Sequence, residues 1–347
     1  MKISLAQSAI LGLLTVSSAA AGPLAKRNGT CTQNQRKSWN ALTNDEKTCK
    51  STGQTLVHDQ PLTNCLSAYI EAELCLMSRP PRAQNLWDEL HYTHIYQGNY
   101  IHYVGHFLPW HRYFVRAHEM LLQTECNYTG AHPYWDELTD LETAPLNQSS
   151  IFDPVYGFGG DGQGDDGCIA DGPFANLTLH MKTASSNNTY CLQRKLNQDD
   201  LDTANSDNLV ECFNKTSYDE AWQCYNGSPH GAGHGAVGGL RPYREQRRPA
   251  LLPPPHHAYL DRLWWQWQEA NLTARLTDIS GQNIPDQSIL DMAGLSAPGS
   301  ELTDYNGDNG NVTTLNHVLF IQNLVPNVNI ADIMDIRGDV VCAEYVN

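Results

Sequence analysis

The chain of 347 residues is 41% hydrophobic and carries 38 acidic against 22 basic side chains, a formal charge of −16 at neutral pH. That field repels nucleic acid and anionic membrane surfaces and suits a small neutral substrate. The length is ample for a full hydrophobic core, so the ten cysteines act as staples and not as a substitute for one.

Residues 1–21, MKISLAQSAILGLLTVSSAAA, join a lysine, a short apolar run and a small-residue end. This is the pattern of a secretory signal peptide, too short and wrongly flanked for a membrane span. Lys26-Arg27 reads as a dibasic processing site, which makes 22–27 a propeptide and 28–347 one mature domain. Nine Asn-x-Ser/Thr sequons, at Asn28, Asn127, Asn147, Asn176, Asn187, Asn214, Asn226, Asn271 and Asn311, imply a glycosylated surface and place those asparagines on loops. All cysteines lie beyond the leader and fit an oxidising compartment, with up to five disulfides of open connectivity. None forms a CxxC pair, which argues against thiolate zinc and thioredoxin chemistry. No later run is long enough to span a bilayer, so the expectation is a soluble, secreted protein.

Two amphipathic helices are expected next, one near QRKSWNALTNDEKTC and one through LTNCLSAYIEAELCLM. In the second, Leu66, Tyr69, Ile70, Glu73, Leu74 and Met77 fall near a 3.6-residue period. The turn RPPR (79–82) closes it.

The stretch from Leu90 to Glu125 holds six of the fourteen histidines: His91, His94, His102, His106, His111 and His118. Imidazole is a borderline nitrogen donor suited to copper, zinc, iron and nickel, so such density is first a metal hypothesis. Pro109 fits the first turn of a helix running through WHRYFVRAHEMLLQTEC, with His111 in that turn. A helix end, a loop and a helix start could each supply one nitrogen, from His94, His102 and His111. His91, His106 and His118 read as packed histidines.

HPYWDELTD follows as an aromatic turn, then a Gly/Asp-rich loop to which Cys168 offers a cross-link. The spacing of Asp161, Asp165 and Asp166 is not that of a calcium loop, so they read as a solvated turn. SPHGAGHGAVGG places His230 and His234 on one helix face. Each glycine costs a helix about 1 kcal/mol, so something besides propensity must order this turn, and a metal bound by both imidazoles would do so. The absence of a Glu after the first His excludes the zinc-peptidase motif. HHAYLDRLWWQWQ reads as an aromatic helix in which Leu260, Trp264 and Trp267 face the core. Four residues after His257, Asp261 can orient its imidazole or an adjoining one from behind. His256 reads as a histidine packed behind the ligands.

With FLPWHRYF, PHGAGH and HHAYLDRLWWQW in this order, the chain resembles the type-3 copper proteins: tyrosinases, catechol oxidases and hemocyanin domains. The resemblance covers most of the mature chain and is closest to short fungal enzymes. It implies a mainly α fold, a helical bundle with long irregular loops and a dinuclear copper centre between two antiparallel helix pairs. One copper would take His94, His102 and His111, the other His230, His234 and His257, with O2 as co-substrate. The function implied is a secreted oxidase turning o-diphenols into o-quinones, with monophenol hydroxylation a further capacity of the family. Monophenol activity is associated with an Asn after the first histidine of the second trio. Gly231 stands there and Gly235 follows the second, which favours catechols. A reversible O2 carrier would use the same ligands under a covering domain, and the chain ends soon after Cys342.

Two departures stand out. Tyr100 replaces the Cys that many fungal relatives join to the second histidine by a thioether. Between Arg241 and Pro255, RPYREQRRPALLPPP replaces an apolar strand and a DPLFY string, so Pro253 stands where relatives carry a Phe near the second copper. The abrupt shift in composition suggests a reading-frame or splice-boundary error, and one synonymous codon set for Arg247 to Pro253, read one base later, begins Gly-Asp-Pro-Leu-Phe-Tyr. An in-frame transcript encoding these residues would end that reading. A genuine segment would impair substrate binding, with a helix beginning only at about His256, and damage there could leave an inactive or copper-poor glycoprotein.

Overall fold

The computed structural model describes residues 34–44, 46–47, 67–79, 85–183, 186–238, 253–293, 296–298, 307–308 and 310–346. The expected leader and processing site, three cysteines (Cys31, Cys49 and Cys65), residues 80–82 of the RPPR turn and the segment 241–252 lie outside them.

The first described element corrects an expectation: Asn34–Arg36 is a strand, β1, and residues 39–44 and 46–47 form turns and bends where a helix was expected. Helical periodicity loses here to a long-range pairing that buries Arg36 completely. Helix α1 (Ala68–Ser78) starts where the Ser67 side chain accepts a bond from Ile70 N, and it buries Tyr69, Ile70, Ala72, Glu73 and Leu76. Leu74 and Met77 are only half-buried. Helix α2 (Leu86–Tyr96) is capped by Asn85, with Asp88 and Glu89 suiting its positive end. Helix α3 (Phe107–Glu125) begins two residues before Pro109 and is buried on most faces as far as Leu122, so it forms the axis of the fold. His111 is therefore its fifth residue, just past the first turn.

After the short α4 (Glu137–Thr143) comes the irregular tract, held by antiparallel hairpins β2–β3 (Gly162–Gln163, Cys168–Ile169) and β4–β5 (Thr178–Thr183, Ser186–Cys191). Asp161, Asp165 and Asp166 are exposed, as a solvated turn requires. Four helices follow, α5 (Gln198–Leu201), α6 (Ser206–Phe213), α7 (Tyr218–Asn226) and α8 (Ser228–Val237). Helix α9 (Pro253–Glu269) starts three residues earlier than expected. Its three prolines occupy the first turn, where the N–H groups they lack would have no intrahelical partner. Helices α10 (Leu272–Arg275) and α11 (Gln287–Ala293), the hairpin β6–β7 (Val318–Leu319, Val328–Asn329) and strand β8 (Ala343–Tyr345) complete the chain.

The fold is mainly α. Helix α3 lies against α9, α8 lies against α5, α7 and α9, and α1 covers α2 and α3. Disulfides tie α1 to the end of α3 (Cys75–Cys126), cross-link the irregular tract (Cys168–Cys191) and join α6 to α7 (Cys212–Cys224). Six sequon asparagines, Asn127, Asn147, Asn176, Asn214, Asn271 and Asn311, are exposed. Asn226 corrects the loop expectation: it is buried at the end of α7, and its side-chain oxygen faces the backbone N–H of Tyr103.

β1 pairs in parallel with β8, and from this clasp Arg36 enters a buried charge cluster. Its guanidinium donates to Glu119 at 3.2 and 3.3 Å, to Asp261 at 3.3 Å and to the Tyr345 oxygen at 3.0 Å. Arg112 donates to Asp261 at 2.5 Å and to the carbonyls of Ile333 and Met334, and lies on the Trp264 ring. Burial alone would raise the Glu119 carboxyl, but Arg36 and Arg116 bring it down to about 2 from an ordinary 4.5. A carboxylate depressed in the folded state adds stability that is fully present above pH 4.5 and vanishes as pH falls through about 2. Urea midpoints of the wild type should therefore drop across that window, by on the order of 3 kcal/mol from this one group. A Glu119→Gln protein should be less stable at neutral pH and should show a flatter decline.

Candidate metal centre

His94 sits in the last turn of α2, His102 in the loop between α2 and α3, and His111 near the start of α3. Their rings meet at centroid distances of 5.0 to 5.3 Å, and the Nε2 atoms of His94 and His111 are 3.3 Å apart. His102 Nδ1 lies 2.7 Å from the Gly98 carbonyl and His111 Nδ1 lies 2.8 Å from that of Phe107. A carbonyl can only accept, so both Nδ1 atoms carry the proton and both Nε2 atoms present lone pairs inward.

The second trio is built by α8 and α9. The Nε2 of His234 lies 3.1 Å from those of both His230 and His257. Four residues separate His230 from His234, so the helix turn itself places them together. The two trios abut, with His102 5.3 Å from His230 and His111 4.7 Å from His257 between ring centroids. Burial, reinforced by neighbouring imidazoles, pushes His94, His111, His230, His234 and His257 well below the ordinary histidine range. These rings are neutral at neutral pH, with their lone pairs available to a metal.

Imidazole nitrogens at 3.1 to 3.3 Å can share either a proton or a cation. That spacing is also the one kept by donors about 2.0 Å from a shared ion. His94, His102 and His111 form one group that could hold a metal ion, and His230, His234 and His257 form another in which His256 also offers a nitrogen within 4.8 Å of theirs; an all-imidazole donor set suits copper.

The remaining candidates are placed elsewhere. His91 stacks on Trp87 and bonds its carbonyl, and His106 stacks on His317 at 4.3 Å. Tyr100 is buried with its hydroxyl 3.1 Å from His317 Nε2. Asp261 corrects the sequence reading: its oxygens are taken by Arg112, Arg36 and Tyr345, and His257 Nδ1 has no hydrogen-bond partner. His256 is packed behind the second trio, and the group behind it is one that spacing did not reveal. Glu137, at the start of α4, sits 2.5 Å from His256 Nδ1 through Oε1. It is separated from His256 by 119 residues, and the only signal was an acid beside the buried aromatics of PYWDE.

Gly233 explains how the pair fits. A Cβ there would run into the His256 ring and the Glu137 carboxylate, so α8 can lie this close only through a bare backbone. At Gly231 the same atom would meet nothing within 4 Å.

The model for the common central domain of tyrosinase matches residues 84–270, a span that includes both trios. A tyrosinase-like protein of Diaporthe leptostromiformis is 29% identical over 304 residues, covering 80% of this chain and 75% of its own. A tyrosinase of Aspergillus flavus is 29% identical over 329 residues, covering 89% and 78%. Among solved structures, a polyphenol oxidase variant from Thermothelomyces thermophila shares the fold with a TM-score of 0.69 at 23% identity, over 92% of this chain and 91% of that one.

Gly233→Ala should lower stability by about 1–3 kcal/mol through overpacking and reduce bound metal per chain, since His230 and His234 flank the added methyl. Urea midpoints and elemental analysis check this. Unchanged values would mean that α8 has slack which the close contacts deny.

Proposed function

We propose, since the chain belongs to the tyrosinase family, that this dicopper oxidase acts on o-diphenols, converting two catechols and one O2 to two o-quinones and two waters. In this reading His94, His102 and His111 hold one copper and His230, His234 and His257 the other. The observation that carries it is the convergence of two adjoining sets of neutral imidazole nitrogens. When bound, the copper pair supplies the redox chemistry, transferring electrons from the phenol to O2.

The chain supplies position and exclusion of water. Backbone carbonyls of Gly98 and Phe107 lock two of the rings with Nε2 inward. Phe107, Trp110 and Phe114 wall the first trio with apolar rings, which keeps the centre dry. His256, pinned by Glu137, backs the second trio and limits movement of α8. Gly231, exposed and with free space around it, leaves room over the second trio but offers no polar atom to help deprotonate a monophenol. Catechols, which ionise more readily, need that help less.

Secretion belongs to the same proposal. It is supported by the leader-like sequence, the disulfides and six exposed sequons, and no described helix is long and apolar enough to cross a membrane. The domain division into leader 1–21, propeptide 22–27 and catalytic domain 28–347 is proposed with it.

Purified protein should contain copper in both sites, consume O2 with catechol and lose that activity on chelation. Copper content near zero, with a folded circular dichroism spectrum, would overturn the reading. Gly231→Asn should raise monophenol hydroxylation relative to catechol oxidation by several-fold while leaving copper content unchanged. Equal ratios in the two proteins would remove Gly231 as the determinant.

A further inference from the structure

The arrangement that marks the two trios occurs once more among the described residues, away from both. His132 Nδ1 donates to the Pro133 carbonyl at 2.7 Å, so a neutral His132 ring presents a lone pair at Nε2. His118 Nε2 lies 3.2 Å from a Glu73 oxygen, and a carboxylate can only accept, so Nε2 carries a proton. Its other nitrogen, Nδ1, faces His132 Nε2 at 3.2 Å. The Tyr69 hydroxyl lies 3.0 Å from that same His132 nitrogen.

With both far nitrogens turned to acceptors, the two facing nitrogens at 3.2 Å hold between them either a proton or a metal ion. The far nitrogens are held as metal-bound imidazoles usually are, one by a carboxylate and one by a backbone carbonyl. The group is sealed: Tyr69 and Glu73 are 3% exposed, and His118 and His132 are fully buried. One donor atom each from Glu73, His118 and His132 lies within 4.8 Å of the others.

We propose that His118, His132 and Tyr69, braced by Glu73, bind a single transition-metal ion, separate from the dicopper centre and about 10 Å from His111 along α3. Two imidazoles and an oxygen donor suit Cu2+ or Zn2+, with Cu2+ bound more tightly. The ion would link α1, α3 and the turn at His132, a cross-link parallel to the Cys75–Cys126 disulfide.

Saturation of the full chain with Cu2+, removal of excess metal and elemental analysis should give a third copper beyond the dinuclear pair. A coupled cupric pair is silent in electron paramagnetic resonance, so the third copper should appear alone as a mononuclear signal of about one spin per chain. His132→Gln should abolish that signal and lower the count by one while catechol oxidation continues. Tyr69→Phe, which keeps the ring packing, should keep the signal and change its line shape. A wild-type protein with only the pair's copper and no mononuclear signal, or a signal unchanged by His132→Gln, overturns the site and leaves a shared proton. The wild-type measurement decides the matter even if the variants fail to fold, and it does not depend on which phenol the dicopper centre oxidises.

Discussion

The bond between Arg112 and Asp261 is the constraint on which the site depends. Arg112 follows His111 in α3, and Asp261 lies one turn after His257 in α9, so this contact sets the register of two helices that each bring a histidine to the centre. Around it, Arg36 reaches both Asp261 and Glu119, and Tyr345 donates to Asp261. A buried ionic cluster of this kind loses much of its Coulomb attraction to desolvation, so its contribution is better sought in specificity than in net stability. A sliding of α3 against α9 by one turn would strand a guanidinium and a carboxylate in the core. The nitrogens of His111 and His257 are held together by that penalty as much as by any contact between the rings.

The glycines of α8 show how one residue type meets three different demands within a single turn of helix. At Gly233 the backbone must come close to His256 and Glu137, and at Gly235 it must come close to the Asp200 side chain, whereas Gly231 leaves open space. Taken as propensity, the three glycines only weaken the helix, and a bound metal looked necessary to order it. The surrounding structure does much of that ordering: Lys195 N and Asn197 N bond the carbonyls of Val237 and Ala236, and α5, α7 and α9 lie against the helix. Low propensity here reflects close contact between backbones and side chains, which tertiary packing compensates.

What could be read from the chain alone was whatever local spacing and motif order encode. The 3.6-residue period gave α1, Pro109 at a helix start gave α3, and the resemblance gave the family and the six histidines that the fold brings together. Features set by distant partners were misread or missed. Arg36 sits in a strand because residues 309 positions away pair with it. Asp261 has the spacing of an imidazole partner, yet two guanidiniums and a phenol claim its oxygens from other elements. Glu137 and the Glu73–His118–His132 cluster join residues from separate segments, and no period or motif registers such meetings. The prolines before His256 were read as a barrier to helix, although at a helix start they remove only N–H groups that have no partner.

The clasp between β1 and β8 also bears on how the molecule comes into being. Contacts of such sequence separation form late, because the intervening chain must be closed into a loop first. During synthesis Arg36 emerges 309 residues before Tyr345, so the arginine must wait for its phenol and for strand β8. Helices α1 to α3 can assemble the first trio in that interval, while the axis they form still lacks its final lock. An intermediate in which one half of the centre is ready before the other is thus built into the order of the chain, and the docking of β8 decides when the centre becomes whole.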